Sequence, residues 1–189
     1  PPTTPSRPQR LYVSSWYFDP PSARLWVSDD GAASFSTIDV GARGALGAVF
    51  TVHAVDSQNP DVLYVSFLDT SKTPQRSVVH RSADRGQTFS AVLEGDGAVS
   101  SVVQVDGGWL IALGDHVFSS TDGQAFTELP SPTQRACVNQ VGGQTLVCGR
   151  PPLDAFSVGT LNAGEVVPLL NWSAISGPIR CAEGTPAAT

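Results

Sequence analysis

Four copies of one short pattern constrain this chain more than any other feature. Ser82-Ala-Asp84-Arg-Gly86-Gln-Thr88-Phe89 fits Ser-x-Asp-x-Gly-x-Thr-Phe at every position. Ser28-Asp-Asp30-Gly-Ala-Ala-Ser34-Phe35 lacks the central Gly, and Ser120-Thr-Asp122-Gly123-Gln-Ala-Phe126 is one residue shorter. Thr160-Leu-Asn162-Ala-Gly164-Glu-Val-Val167 keeps Thr, Asn and Gly but ends in Val. The pattern encodes a hairpin turn: Ser and Asp side chains accept backbone N–H groups within the loop, Gly supplies a positive φ, and the aromatic folds back over the turn. The copies begin 54, 38 and 40 residues apart, which brackets the repeat length of roughly 40–50 residues of a radially repeated four-stranded unit.

These residues resemble the Asp-box, or bacterial neuraminidase repeat, found between the third and fourth strands of blades in sialidases, sortilin-type receptors and related β-propellers. The resemblance implies an all-β chain of four-stranded antiparallel blades, with Ser28, Asp30, Phe35, Ser82, Asp84, Gly86, Phe89, Ser120, Asp122, Gly123 and Phe126 in a structural role. It also implies that the boxes lie on the rim, away from any central ligand site. A fold of this kind does not carry its function with it.

The strands follow from alternating or continuously apolar stretches between Gly, Pro, Asp and Ser clusters, with no helical period. Residues 47–53, 62–68, 76–82 and 89–93 read as one complete blade. A second takes 99–105, 108–113, 115–120 and 125–129, and a third 134–141, 144–149, 155–160 and 165–170. Blade boundaries are expected at 47–95, 98–130 and 134–171. Arg10-Leu-Tyr-Val-Ser-Ser15 matches Val62-Leu-Tyr-Val-Ser-Phe67, a second strand, so 11–40 reads as a blade without its inner strand. Residues 178–189 read as the start of a further blade or a closing strand. About three to four blades of a larger propeller are expected in this chain, the remaining blades being supplied by a separate or cleaved chain or by a second copy.

Composition narrows the function. A formal charge of −6 with scattered basic residues argues against nucleic acid, which needs clustered Lys and Arg, and no apolar run reaches the roughly 20 residues of a membrane helix. A single Lys, Lys72, with much Ala, Gly and Pro, hints at a GC-rich bacterial genome, and with no Met residue 1 is expected to be a processed end, a cleavage point or an artificial boundary. Cys137 and Cys148 flank Gly142-Gly143 symmetrically, so a hairpin turning there sets them opposite one another. A cross-strand disulfide is then open to them, as expected of an extracellular, cell-surface or periplasmic protein. Cys181 is left odd.

The motifs of chemistry are sparse. A sialidase carries a Phe/Tyr-Arg-Ile/Leu-Pro segment, three carboxylate-binding arginines and a Tyr–Glu nucleophile pair. Here Arg7-Pro8 and Arg150-Pro151 lack that context, and Glu is confined to Glu94, Glu128, Glu165 and Glu183. Asp19, Asp56, Asp69 and Asp115 stand in loops, where such residues either cap turns or form a glycosidase pair. His53, His80 and His116 lack metal-ligand spacing, so neither metal nor cofactor is expected. Gly41–Gly47 lacks the Gly-Lys-Ser/Thr ending of a phosphate loop. The aromatic triplet Trp16, Tyr17 and Phe18 leads into a loop as a sugar- or protein-contact surface would, whereas Trp26, Trp109 and Trp172 are expected between sheets. The resulting expectation is an exported, non-catalytic interaction module, with a glycoside hydrolase fragment as the alternative.

Overall fold

The computed structural model describes residues 4–18, 21–41, 48–129, 135–141, 143–149, 157–162 and 165–171. All regular structure among them is β. β1 (Leu11–Phe18), β2 (Pro21–Ser28) and β3 (Ser36–Asp39) form a three-stranded sheet in that order. Three four-stranded antiparallel sheets follow. The second is β4 (Ala48–Val55), β5 (Leu63–Asp69), β6 (Arg76–Ser82) and β7 (Ser90–Asp96). The third is β8 (Val99–Val105), β9 (Gly108–Leu113), β10 (His116–Ser120) and β11 (Thr127–Glu128). The fourth is β12 (Arg135–Val141), β13 (Gln144–Gly149), β14 (Ser157–Asn162) and β15 (Glu165–Asn171). Every sheet is a meander, and each predicted strand has a counterpart within a few residues. Gly142, Gly164 and the segment 178–189 lie outside the described residues, as do Trp172 and Cys181.

Hydrophobic cores lie between successive sheets. Tyr12, Leu25 and Val27 of the first sheet meet Phe50, Leu63 and Val65 of the second. Tyr64 and Val79 on the opposite face of the second sheet meet Trp109, Ile111 and Leu113 of the third. Leu110, Ala112 and Val117 then meet Val138 and Val147 of the fourth. This sandwiching explains the continuously apolar second strands: Leu63-Tyr-Val-Ser-Phe67 is buried throughout because alternate side chains enter two different cores.

The first three Ser-x-Asp turns connect the last two strands of their sheets. In the second sheet, Ser82 Oγ accepts Gly86 N at 2.8 Å, while Asp84 accepts Thr88 N at 2.9 Å and Thr88 Oγ1 at 2.6 Å. The first turn repeats this: Ala32 N donates to Ser28 Oγ at 2.9 Å, and Ser34 donates to Asp30 from N at 2.9 Å and Oγ at 2.6 Å. The shorter third turn keeps the plan, Gly123 N donating to Ser120 Oγ and Gln124 N and Ala125 N to Asp122 Oδ1. Hydrogen bonds that prefer the ionised carboxylate depress its pKa. Those from Ser34 bring Asp30 down to about 2, and the amides of Ala125 and Gln124 bring Asp122 to about 2.

Candidate functional site

Antiparallel alternation divides the loops between two ends of the sheet stack. One end carries the loops from the first to the second strand of the three four-stranded sheets, together with the Ser-x-Asp turns. The other, the connector end, carries the β1–β2, β5–β6 and β9–β10 turns and the links between sheets.

The connector end holds a cleft of about 660 Å³ between the second and third sheets, around which stand Asp96, Asp115, His116, Phe118 and Glu128. Its floor is a close approach of backbones. Gly114 N donates to the Ala98 carbonyl at 3.0 Å and Gly97 N to the Gln75 carbonyl at 2.6 Å, and a Cβ on Gly97 would stand 2.7 Å from Gly114 Cα. Glycine is required there both for that space and for its φ of +93°. His116 Nδ1 lies 2.7 Å from Glu128 Oε1, and Arg76 Nε 2.8 Å from Glu94 Oε1 and, through Nη1, 3.9 Å from Asp96. These pairs are exposed and worth little to stability. The carboxylates come from β7, the β9–β10 turn and β11; the expected strand at 89–93 stops short of Asp96, and periodicity could not bring the three together.

Trp16 and Tyr17 sit at the connector end of β1, 37% and 58% exposed. They do not form one patch with each other. Trp16 lies on the face of β1 that carries the buried Tyr12, Tyr17 on the face that carries Val13, as period-2 alternation requires. The side chain of Phe18 lies outside the described residues. Trp26 departs from expectation: cross-strand from Val13, it occupies the outer face of the first sheet, its Nε1 donating to Ser15 Oγ at 2.9 Å. Trp109 does pack between sheets.

Sequence reading missed Arg10. Only 2% exposed, its guanidinium pairs with Asp29 at 2.6 Å and with Asp61, and Arg85 adds a second contact to Asp29, so the first and second sheets are clamped at the turn end. Burial works against both charges, and the pairing outweighs it, raising Arg10 and holding Asp29 below its ordinary value. The only available signal was a cation immediately before Leu-Tyr-Val-Ser. Cys137 and Cys148 are paired across β12 and β13, with Cα atoms 5.1 Å apart, in a disulfide.

No family model and no curated protein matches the chain. Among solved structures it is similar to the GH74 xyloglucanase from Xanthomonas campestris, with a TM-score of 0.63 over 95% of this chain and 31% of that one, at 16% identity. The fold is that of a β-propeller. A second similar structure is the GH74 enzyme from Niastella koreensis, with a TM-score of 0.43 at 12% identity over 87% of this chain and 30% of that one. The propeller sheets described here thus span about a third of the length of either structure.

Proposed function

We propose that this chain is a run of blades from an exported Asp-box β-propeller that acts as a non-catalytic interaction module, presenting its connector end to a protein or glycan. One observation carries the binding reading: the rings of Trp16 and Tyr17 stand exposed at the connector end and offer contact surface. Asp30, Asp69, Asp84 and Asp122 cap their own turns and Asp29 pairs with Arg10 and Arg85, which holds these five below the ordinary carboxylate range, so none of the five is the protonated acid a glycosidase needs. Export is supported by the Cys137–Cys148 disulfide. The Asp-box assignment is supported by the shared bonding of the turns at Ser28, Ser82 and Ser120.

The remaining blades, on a separate or cleaved chain, are the proposed partner. Among the described residues β1 is an edge strand, whereas its counterparts β5, β9 and β13 each have an inner neighbour. Val13, Tyr17 and Phe35 are exposed on this terminal sheet, a state that invites pairing.

The second reading is a glycoside hydrolase fragment completed by those blades. It is favoured by Asp96, Asp115 and Glu128 standing around one cleft and by the likeness to a propeller enzyme. Affinity electrophoresis through a panel of soluble polysaccharides, with reducing-end release measured on the same mixtures, separates the two. Retardation that Trp16→Ala or Tyr17→Ala abolishes, without release, is expected. Release of reducing ends that Asp96→Asn or Glu128→Gln eliminates would establish the hydrolase.

A further inference from the structure

At the end opposite the connectors, three sheets surround an open polar cleft of about 530 Å³. Asp56 reaches it from the β4–β5 loop, Gln104 from β8, Asp122 from the third Ser-x-Asp turn and Gln140 from β12, with Trp109 in the wall. Each polar side chain is anchored by one end only. Ser57 N donates to Gln104 Oε1 at 2.8 Å and Thr145 Oγ1 to Gln140 Oε1 at 2.9 Å. Because a backbone N–H can only donate, the orientation of the Gln104 amide is fixed, and both glutamines are left with their NH2 groups uncommitted among the described residues. The carboxylates are anchored in the same way. Asp56 accepts Gln58 N at 2.8 Å and Asn59 N at 3.0 Å on Oδ1, and Asp122 accepts Ser120 Oγ, Gln124 N and Ala125 N on Oδ1. Among the described residues, Oδ2 of each accepts no further hydrogen bond.

The cleft therefore presents preset donors beside preset acceptors. A hydroxyl both donates and accepts, so neighbouring hydroxyls on one ligand satisfy an amide and a carboxylate together. An anion meets two carboxylates there, and an apolar ligand offers none of the four groups a hydrogen-bond partner. We propose that this cleft binds a neutral polyhydroxylated ligand, a short saccharide, at the turn end of the propeller. The site is separate from the connector end and does not depend on the reading given above.

Chemical-shift mapping of the whole chain against neutral tetrasaccharides of gluco, xylo, manno and galacto configuration, with tetraglycine as a control, tests this. At least one saccharide is expected to shift the side-chain NH2 signals of Gln104 and Gln140. Gln104→Glu and Gln140→Glu keep the anchoring oxygens, replace each donor NH2 by an acceptor oxygen and add a negative charge beside Asp56 and Asp122. Each is expected to weaken binding about 10-fold, the worth of a lost hydrogen bond to a ligand, with the melting temperature unchanged. Trp16→Ala leaves this binding intact. Failure of every saccharide to bind at millimolar concentration, shifts confined to the connector end, undiminished binding by both Glu variants, or tighter binding of tetraglycine than of any saccharide would overturn the proposal. Should Gln104→Glu unfold, Gln140→Glu alone decides the matter.

Discussion

The Tyr64 hydroxyl donates to the carbonyl of Gly123 across 2.8 Å, joining the second strand of one sheet to the Ser-x-Asp turn of the next, 59 residues away. Tyr12 occupies the same place one sheet earlier and donates to the Pro60 carbonyl at 2.7 Å. The first and second sheets are thus each pinned to the next by a tyrosine whose ring is buried and whose hydroxyl is committed. The turns themselves are part of the joint, because a Cβ on Gly123 would run into the Tyr64 hydroxyl and one on Gly86 into Leu25 Cδ2.

Tyr64→Phe leaves a buried carbonyl without its donor and should cost about 1–3 kcal/mol. Gly123→Ala adds left-handed strain to the collision and should cost more, unfolding a marginal chain. Chemical denaturation gives both values. If Gly123→Ala were no worse than Tyr64→Phe, the close approach of ring and turn would be refuted.

The first two turns place their glycines differently. Arg85 and Gly86 have φ of +66° and +87°, Gly31 and Ala32 +71° and +77°, so Ala32 stands where the second turn has Gly86. Relieving that strain by Ala32→Gly should stabilise the chain by about 0.5–1 kcal/mol, left-handed alanine costing somewhat more than the entropy glycine adds. Gly86→Ala should do the opposite and more strongly. Asp84→Ala, which strips the Thr88 contacts, should cost about 1–2 kcal/mol and leave ligand binding unchanged. A neutral Ala32→Gly would show that the first turn relaxes its strain by another route.

Burial pushes the imidazole of His53 down to about 4. Its Nε2 lies 2.7 Å from Ser66 Oγ, at an irregularity in the β4–β5 pairing. Between the ordinary value near 6.5 and 4 the unfolded chain takes up a proton that the folded chain refuses, so stability present at neutral pH is lost as pH falls through that window. Urea midpoints at pH 7 and pH 4.5 should therefore differ more in the wild type than in His53→Gln. Equal differences would exonerate His53.

Local bonding is what sequence displayed well. Ser82, Asp84 and Thr88 bond within one turn, and the cysteines face each other because both flank the same hairpin. The joints between sheets were out of reach. Nothing near Arg10 announces Asp61, nor does anything near Tyr64 announce Gly123, since these contacts depend on how successive sheets stack. Trp16 and Tyr17 of the aromatic triplet point to opposite faces of β1 because consecutive strand residues alternate.

Reduction of the Cys137–Cys148 bond, which closes a short loop, should lower stability by roughly 2–3 kcal/mol in the chain-entropy description. Thiol titration of the unfolded, unreduced protein should find one free thiol, from Cys181. Three would mean that the bond does not form.

The aromatic residue ending each of the first three Ser-x-Asp turns reports on what lies before its sheet. Phe89, in the second sheet, packs against the core shared with the first, and Phe126, in the third, meets Tyr64 of the second edge-on with ring centres 6.5 Å apart. Phe35, in the first sheet, is 41% exposed. Phe89 and Phe126 are half-buried against those cores, and replacing either by Ala should cost about 1–3 kcal/mol, whereas Phe35→Ala should stay within about 0.5 kcal/mol, as surface changes do. Adding the proposed partner blades should alter only the Phe35 result, because they would supply the surface that the second and third aromatics already have. A large cost for Phe35→Ala in the isolated chain would mean that its own residues, or a second copy, already cover that face, and would remove the case for a partner.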